Sequence, residues 1–238
     1  MNVLVVGVDG LGRQVADMLR GRRQSHLSLV GFVDDAPLWQ GQLILGAPVL
    51  GTVRDLVTIP HDAVVVALAD NDVRRRTTQQ LLAAGERVLS VCHPSSVIAG
   101  DIYVPPGVIV GPLASLDIGS VLGMGAIIGA GCVLEPHAAV GAFSQLAGGV
   151  RLGASAIVGD DACVGVGAVV AIAVGPLLGV ALIFTTSAPF VLVNIVAGLV
   201  YALAFPFVAL DEAQLPAHVD AMLRDFFIGV ATMMINRA

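Results

Sequence analysis

The chain opens with four apolar residues in a row, Val3-Leu4-Val5-Val6, closed by Gly7. A short unbroken apolar run ended by a turn residue predicts a strand buried on both faces. Val15, Met18 and Leu19 follow at helical spacing and predict a helix from Leu11 to Arg20. A second strand is expected from Leu27 to Val33, closed by Asp34-Asp35, and a third from Ala63 to Leu68, closed by Asp70-Asn71. A second helix should cover Asp72 to Ala84 and stop at Gly85, with a further strand from Arg87 to Cys92. Strands alternating with helices imply a parallel sheet with crossovers. Ligands of such sheets sit at the carboxyl ends of the strands. Gly7 to Gly12, Asp34-Asp35 and Ala69 to Asn71 all fall at those ends and can line one crevice.

The pattern then changes to a beat of six. Aliphatic residues stand at Val104, Val110, Leu116, Leu122, Ile128, Leu134, Val140, Leu146, Leu152, Val158, Val164 and Val170. The next place is most often Gly, and the fifth place of each hexad is Ala, Ser, Cys or Val. Each hexad reads as one short strand plus a corner. The aliphatic and the small fifth residue point inward, and Gly supplies the turn. Three hexads close one triangular coil, and stacked coils bury a continuous core that no coil could form alone. Cys132 and Cys163 are read as small-residue positions of this core, hence inert.

The beat fails near Gly175. No charged residue lies between Asp161 and Asp211, and Phe190 to Leu210 is long enough to span a bilayer by itself. Ser187-Ala188-Pro189 could turn the chain between two spans. The reading is membrane insertion of 171–210. The alternatives are a buried helical pair beneath the prism, or a fused fragment foreign to the rest. Residues 217–235 then read as an amphipathic helix, with Val219, Met222, Leu223, Phe226 and Phe227 on one side. The fold class is therefore α/β plus all-β. A small Rossmann-like domain occupies 1–97, a parallel β-helix of hexapeptide repeats 98–175, and an apolar helical tail 176–238.

Composition narrows the function. The 238 residues are 56% hydrophobic and only 13% charged, with net charge −6. That excludes a disordered chain. It also makes nucleic acid an improbable partner, since no basic cluster exceeds Arg74-Arg75-Arg76. Three cysteines without CxxC spacing argue against a disulfide framework and a zinc site and fit a reducing compartment. The first residues, lacking a basic segment and a cleavage site, read as a strand rather than a signal peptide. In the first loop, GVDGLG, Asp9 stands where the second glycine of GxGxxG belongs. A carboxylate beside a pyrophosphate is unfavourable, so NAD and FAD are not expected. His26, His61 and His218 are expected at the surface, and His93-Pro94 at the mouth of the first coil.

The segments VVGVDGLGRQVADML, GFVDD, VALADNDVR, CHPSSVI and VLEPHAAVGAFSQLAGGVRLG, together with the hexads, resemble the NeuD/PglD-type sugar acyltransferases. The resemblance covers residues 1 to about 170. It implies a left-handed β-helix, a homotrimer, and acetyl transfer from acetyl-CoA to an amino or hydroxyl group of a sugar. It places the nucleotide-sugar or acid-sugar substrate in the crevice, at Asp9, Gly10, Leu11, Asp34, Asp35, Ala69, Asp70 and Asn71. Gln145 and Val166 are the implied acetyl-CoA contacts, and no metal is required. A histidine suits the general base that such a transfer needs, with a carboxylate to orient it. His137 and Glu135 are the candidates.

The motif also departs from the family. The family histidine follows an acidic residue directly, and here Pro136 stands in that place, with His137 one residue on. Gln145 replaces the histidine that meets acetyl-CoA, Asp9 and Leu11 replace a small residue and a histidine, and one hexad is missing after Gln145. The alternative reading is accordingly a catalytically degenerate, membrane-attached scaffold that binds a nucleotide-sugar. For Asp34-Asp35 a polar strand cap, and for Asp70-Asn71 an N-cap of the following helix, stands as the alternative to ligand contact. The expected location is cytoplasmic, with attachment to the inner membrane through the tail.

Overall fold

The computed structural model describes residues 1–21 and 27–170 in full, and the backbone of 174–175 and 178–179. The chain divides into two compact units, Met1–Thr186 and Ser187–Ala238. The second unit lies outside the described residues, and so do the expectations for the 171–210 span and the 176–238 tail, save for the 174–175 and 178–179 backbone, which pairs as antiparallel strand. Among the described residues no helix is long and apolar enough to cross a membrane.

The first part is a parallel sheet with one helix on each face. Its elements are β1 (Asn2–Val6), α1 (Gly10–Arg20), β2 (Ser28–Val33), β3 (Leu43–Ile44), β4 (Ala47–Gly51), β5 (Ala63–Val66) and α2 (Asn71–Ala83). The sheet order is β3-β4-β2-β1-β5. Only the β3–β4 pair is antiparallel. Side chains of β1 alternate between two cores. Val3 and Val5 pack with Val15, Met18 and Leu19 of α1, whereas Leu4 and Val6 pack with Leu81 of α2 on the other side. That division is why the run reads as unbroken hydrophobicity.

The β3–β4 hairpin carries no warning in the sequence. Its turn is Leu45-Gly46, both at positive φ, the geometry that suits a two-residue hairpin. Leu is a poor turn residue, so no turn was expected there.

The expected strand 87–92 is shared between two sheets. Val88 bridges to Val64 beside β5, and Val91–Cys92 pairs instead with Ile109–Val110, a rung of the coils. The coil sheets therefore begin at Val91, ahead of residue 98.

From there the hexads build three parallel sheets with pairing partners 18 residues apart. Face one holds Val91–Cys92, Ile109–Val110, Ile127–Ile128, Gln145–Leu146 and Cys163–Val164. Face two runs from Val97–Ile98 to Val169–Val170, and face three from Val121–Leu122 to Ile157–Val158. The aliphatic positions from Val110 to Val170 and the fifth positions from Val108 to Ala162 are buried in one core. Cys132 belongs to it. Cys163 does not. It stands in the sixth place of its hexad, faces outward, and lies 3.1 Å from Nδ2 of Asn71.

The corners are made differently from the expectation. The left-handed residue is the fourth of each hexad, and it is Gly at 107, 119, 125, 131, 149 and 167 but Leu113, His137, Phe143, Ser155 and Asp161 elsewhere. At 111, 123, 129 and 141 the glycine after the aliphatic residue has another reason, whereas Gly159 and Gly165 meet nothing within 4 Å. A Cβ on Gly129 would lie 2.7 Å from three backbone atoms of Leu146, Ala147 and Gly148 in the next coil. Close stacking, not backbone conformation, demands glycine there.

The first domain and the column share one core. Val91, Ile109 and Ile127, the outward residues of face one, pack among Val3, Val5 and Val15. His61, expected at the surface, is also enclosed. Its side chain is 7% exposed and its Nε2 lies 3.0 Å from Glu86.

Candidate functional site

Three loops meet at the carboxyl end of the sheet. The first leaves β1 through Gly7, whose N–H donates to the Val33 carbonyl at 2.9 Å. Gly7 and Gly12 are forced by packing, because a Cβ on either would collide with backbone: Ala67 O against Gly7, and Gly7 O against Gly12. A Cβ on Gly10 would meet nothing within 4 Å. Asp34 is the hub. One carboxylate oxygen accepts the Val8 N–H at 2.9 Å and the other the Ala36 N–H at 2.8 Å. Asp35 accepts from Val53 at 2.9 Å. Asp9 caps α1, accepting from Leu11 and Gly12 at 3.1 and 3.3 Å. Asp70 caps α2, accepting from Val73 at 2.8 Å. Every crevice carboxylate thus holds backbone N–H groups, which fixes the loops and still leaves a lone pair or an oxygen open on each.

Two crevice residues escaped the sequence reading. Arg13 donates from Nε to the Val8 carbonyl at 3.1 Å, and its guanidinium lies 5.3 Å from the ring centre of Trp39. The stacking restrains a cation at the mouth of the crevice. The single tryptophan of the chain, placed just after the Asp34-Asp35 cap, was the signal available for it.

Asn71 and Arg74 point away from the crevice and into the column. Asn71 Nδ2 donates to the Asp161 carbonyl at 2.8 Å. Arg75 holds the Asp161 carboxylate with two bonds of 3.0 and 2.6 Å and lies 4.5 Å from the ring centre of Phe143.

His137 belongs to a different place. It is the fourth residue of its hexad, at φ 62°, on the corner between faces two and three. That corner is opposite face one, which carries the N-terminal domain. The ring lies over Gly119 of the preceding coil, so closely that a Cβ on Gly119 would run into Nδ1. The residue is exposed, and its ring makes no hydrogen bond to a described residue. Glu135 does not orient it. Its Oε2 accepts from the Ala154 N–H at 3.1 Å, one coil on. Asp101, on the same corner, accepts from Gly119 at 2.8 Å.

Gln145 is half-buried on face one, and Val166 is 81% exposed on the corner loop between faces one and two. The structure therefore brings together Asp9, Gly10, Leu11, Asp34, Asp35, Ala69 and Asp70 at one sheet end, and keeps His137 and Glu135 apart from them. Among the described residues no group of His, Cys, Asp and Glu could hold a metal ion.

Residues 2–81 match the PglD N-terminal domain family. No curated protein matches the chain by sequence. Among solved structures, the acetyltransferase domain of PglB from Neisseria gonorrhoeae shares the fold, with 23% identity and a TM-score of 0.60 over 75% of this chain and 99% of that one. PerB from Caulobacter crescentus, solved with CoA and GDP-perosamine, is 27% identical with a TM-score of 0.59, over 71% of this chain and 88% of that one. A variant of perosamine N-acetyltransferase from the same organism, also with CoA and GDP-perosamine, is 26% identical with a TM-score of 0.51 over the same shares. Residues 2–81 thus match the PglD N-terminal domain family, and with the PglB acetyltransferase domain and perosamine N-acetyltransferase among the similar structures the chain is consistent with the NeuD/PglD-type sugar acyltransferases.

Proposed function

We propose that the chain is an acetyl-CoA-dependent sugar acetyltransferase. The acceptor is an amino or hydroxyl group of a nucleotide-sugar held in the crevice, and His137 is the general base. One observation carries the reading: behind a PglD-type domain, the column presents an exposed imidazole whose two nitrogens are free of described partners. The likeness to PerB, whose structure holds CoA and GDP-perosamine, supports the substrate class.

The chemistry asks little else of the protein. The acceptor nitrogen or oxygen attacks the thioester carbonyl as His137 removes its proton. The C–S bond then breaks, and the imidazolium returns the proton to the departing thiolate. One imidazole can act first as base and then as acid, so a single side chain serves both transfers. N–H groups at the coil edge would hold the oxyanion. Within one chain the crevice and His137 lie on opposite sides of the column, so the working site needs a second copy. A homotrimer of left-handed columns satisfies that need. The test is release of CoA from acetyl-CoA with nucleotide-linked amino and hydroxy sugars as acceptors, alongside light scattering for the assembly. Absence of CoA release with all acceptors would count against the reading.

A second reading, a scaffold that binds nucleotide-sugar without turnover, is favoured by Glu135, which is spent on the Ala154 N–H. A thermal shift with nucleotide-sugar but none with acetyl-CoA would select it.

A further inference from the structure

Arg74 is the largest fully buried side chain among the described residues, and it forms no ion pair with them. All five of its N–H groups are nevertheless used. Nε donates to the Gly125 carbonyl at 3.0 Å. One terminal nitrogen donates to the carbonyls of Leu68 and Ala69 at 2.9 and 3.2 Å. The other donates to Asn71 Oδ1 at 2.8 Å and to the Phe143 carbonyl at 2.7 Å. A guanidinium has five donors, so the set is complete. Burial pushes its pKa down to about 10, leaving it charged at neutral pH.

Enclosing a cation among neutral acceptors is costly, and an apolar side chain of similar volume would avoid the cost. What the guanidinium adds is connection. Leu68 and Ala69 are where the chain leaves β5 and form one lip of the crevice. Asn71 is the first residue of α2. Gly125 and Phe143 sit 18 residues apart on successive turns of one corner of the column. One planar group ties the lip, the helix start and two coils. Asn71, at the Asp161 carbonyl, and Arg75, at the Asp161 carboxylate and over the Phe143 ring, add ties at the same corner, but neither bonds Leu68, Ala69 or Gly125.

We propose that Arg74 is a positioning residue that fixes the crevice lip on the column, and so sets how an acceptor in the crevice is presented to the imidazole of the adjacent copy. The consequence for turnover rests on the acetyltransferase reading above; the mechanical role does not. Acceptor contacts lie within the crevice and acetyl-CoA contacts on coils, so affinity for each survives a loosened lip. Alignment does not, and an error of about 1 Å in attack geometry costs about 100-fold in rate.

The experiment compares Arg74→Met and Arg74→Lys with Leu81→Ala, a cavity in the same helix on the side packed against Leu4 and Val6 of the sheet. Met fills the volume without a buried charge, and Lys keeps the charge but offers a single point of attachment. We expect kcat to fall at least 30-fold in both Arg74 variants, with KM for acceptor and acetyl-CoA within about 3-fold of wild type. Leu81→Ala should lower the melting temperature yet hold kcat within about 3-fold. Amide hydrogen exchange at residues 69–73, Gly125 and Phe143 should quicken at least 10-fold in the Arg74 variants and not in Leu81→Ala. A wild-type enzyme without transferase activity would sink the acetyltransferase reading alone, and the exchange data would still decide the role of Arg74. Exchange and kcat in Arg74→Met equal to those of Leu81→Ala would overturn it, as would failure of both Arg74 variants to fold while Leu81→Ala does, which would make the residue a requirement for folding only.

Discussion

Two glycines separated by one residue should respond oppositely to the same substitutions. Gly129 follows an aliphatic rung residue and lies under the next coil; Gly131 is a corner residue at φ 65° with open space at its Cβ position. A Cβ on Gly129 meets backbone at 2.7 Å, where ordinary contact begins near 3.4 Å. The coils would have to part by roughly 0.7 Å, and backbone cannot swing aside as a side chain can. The two ladder bonds of that step, Ile127 N–H to Ser144 O at 2.9 Å and Gly129 N–H to Leu146 O at 2.8 Å, would stretch beyond hydrogen-bond length. Overpacking and the weakened bonds together cost about 2–4 kcal/mol for Gly129→Ala. The first domain and the column share one core, and a unit of that size would lose about 5–15 °C in melting temperature. Gly131→Ala meets no atom and bears only left-handed strain, about 1 kcal/mol, in part offset by the stiffer unfolded chain. Asparagine separates the causes. It tolerates the left-handed region, so Gly131→Asn should be milder than Gly131→Ala, whereas the larger side chain makes Gly129→Asn worse than Gly129→Ala. Thermal and urea denaturation of the four variants, followed by circular dichroism, provide the check. Gly129→Asn melting at or above Gly131→Asn would refute the stacking argument.

Other outcomes follow from the crevice and the sheet edge. Removing the α1 cap with Asp9→Ala should cost about 1 kcal/mol in urea denaturation, and if the carboxylate serves only as a cap, nucleotide-sugar affinity should change less than about 3-fold. Asp55 is hydrogen-bonded by the Thr52 backbone and hydroxyl, which lowers its pKa from 3.8. A carboxyl with a depressed folded-state pKa stabilises the protein above the unfolded value and loses that contribution as pH falls through the folded one. Asp55→Asn should therefore melt below wild type at pH 7, and the gap should close below pH of about 4; a gap that widens in acid would contradict the assignment.

Much of this architecture was legible because it is periodic. The six-residue beat placed the inward residues of the column, and strand runs alternating with helices placed the sheet and the ends of its strands. What periodicity does not encode was missed. The turn residue of each coil is the fourth of its hexad, and because Leu113, His137, Phe143, Ser155 and Asp161 take the left-handed conformation there, composition misdirects. The glycine after the aliphatic residue looked like the turn and is instead a stacking requirement at 111, 123, 129 and 141. Cys163 was read into the core by one place too few. The contacts of Arg74 and Arg75 with the column cross 51 to 86 residues, and no local pattern announces such pairs. In the crevice the sequence located Asp34, Asp35 and Asp70 but left capping and ligand contact as alternatives. The geometry shows the capping bonds, and the ligand role remains the subject of the proposal.

The most direct test of the account is the pH–rate profile of CoA release by wild type and by His137→Asn, with a nucleotide-linked amino sugar as acceptor. A general base contributes about 100- to 10,000-fold, and the exposed corner position should let the substitution leave the melting temperature unchanged. The account predicts a loss of kcat in that range and a pH–rate profile that no longer matches that of wild type. A variant that turns over at the wild-type rate, with its profile intact, would remove His137 from the chemistry.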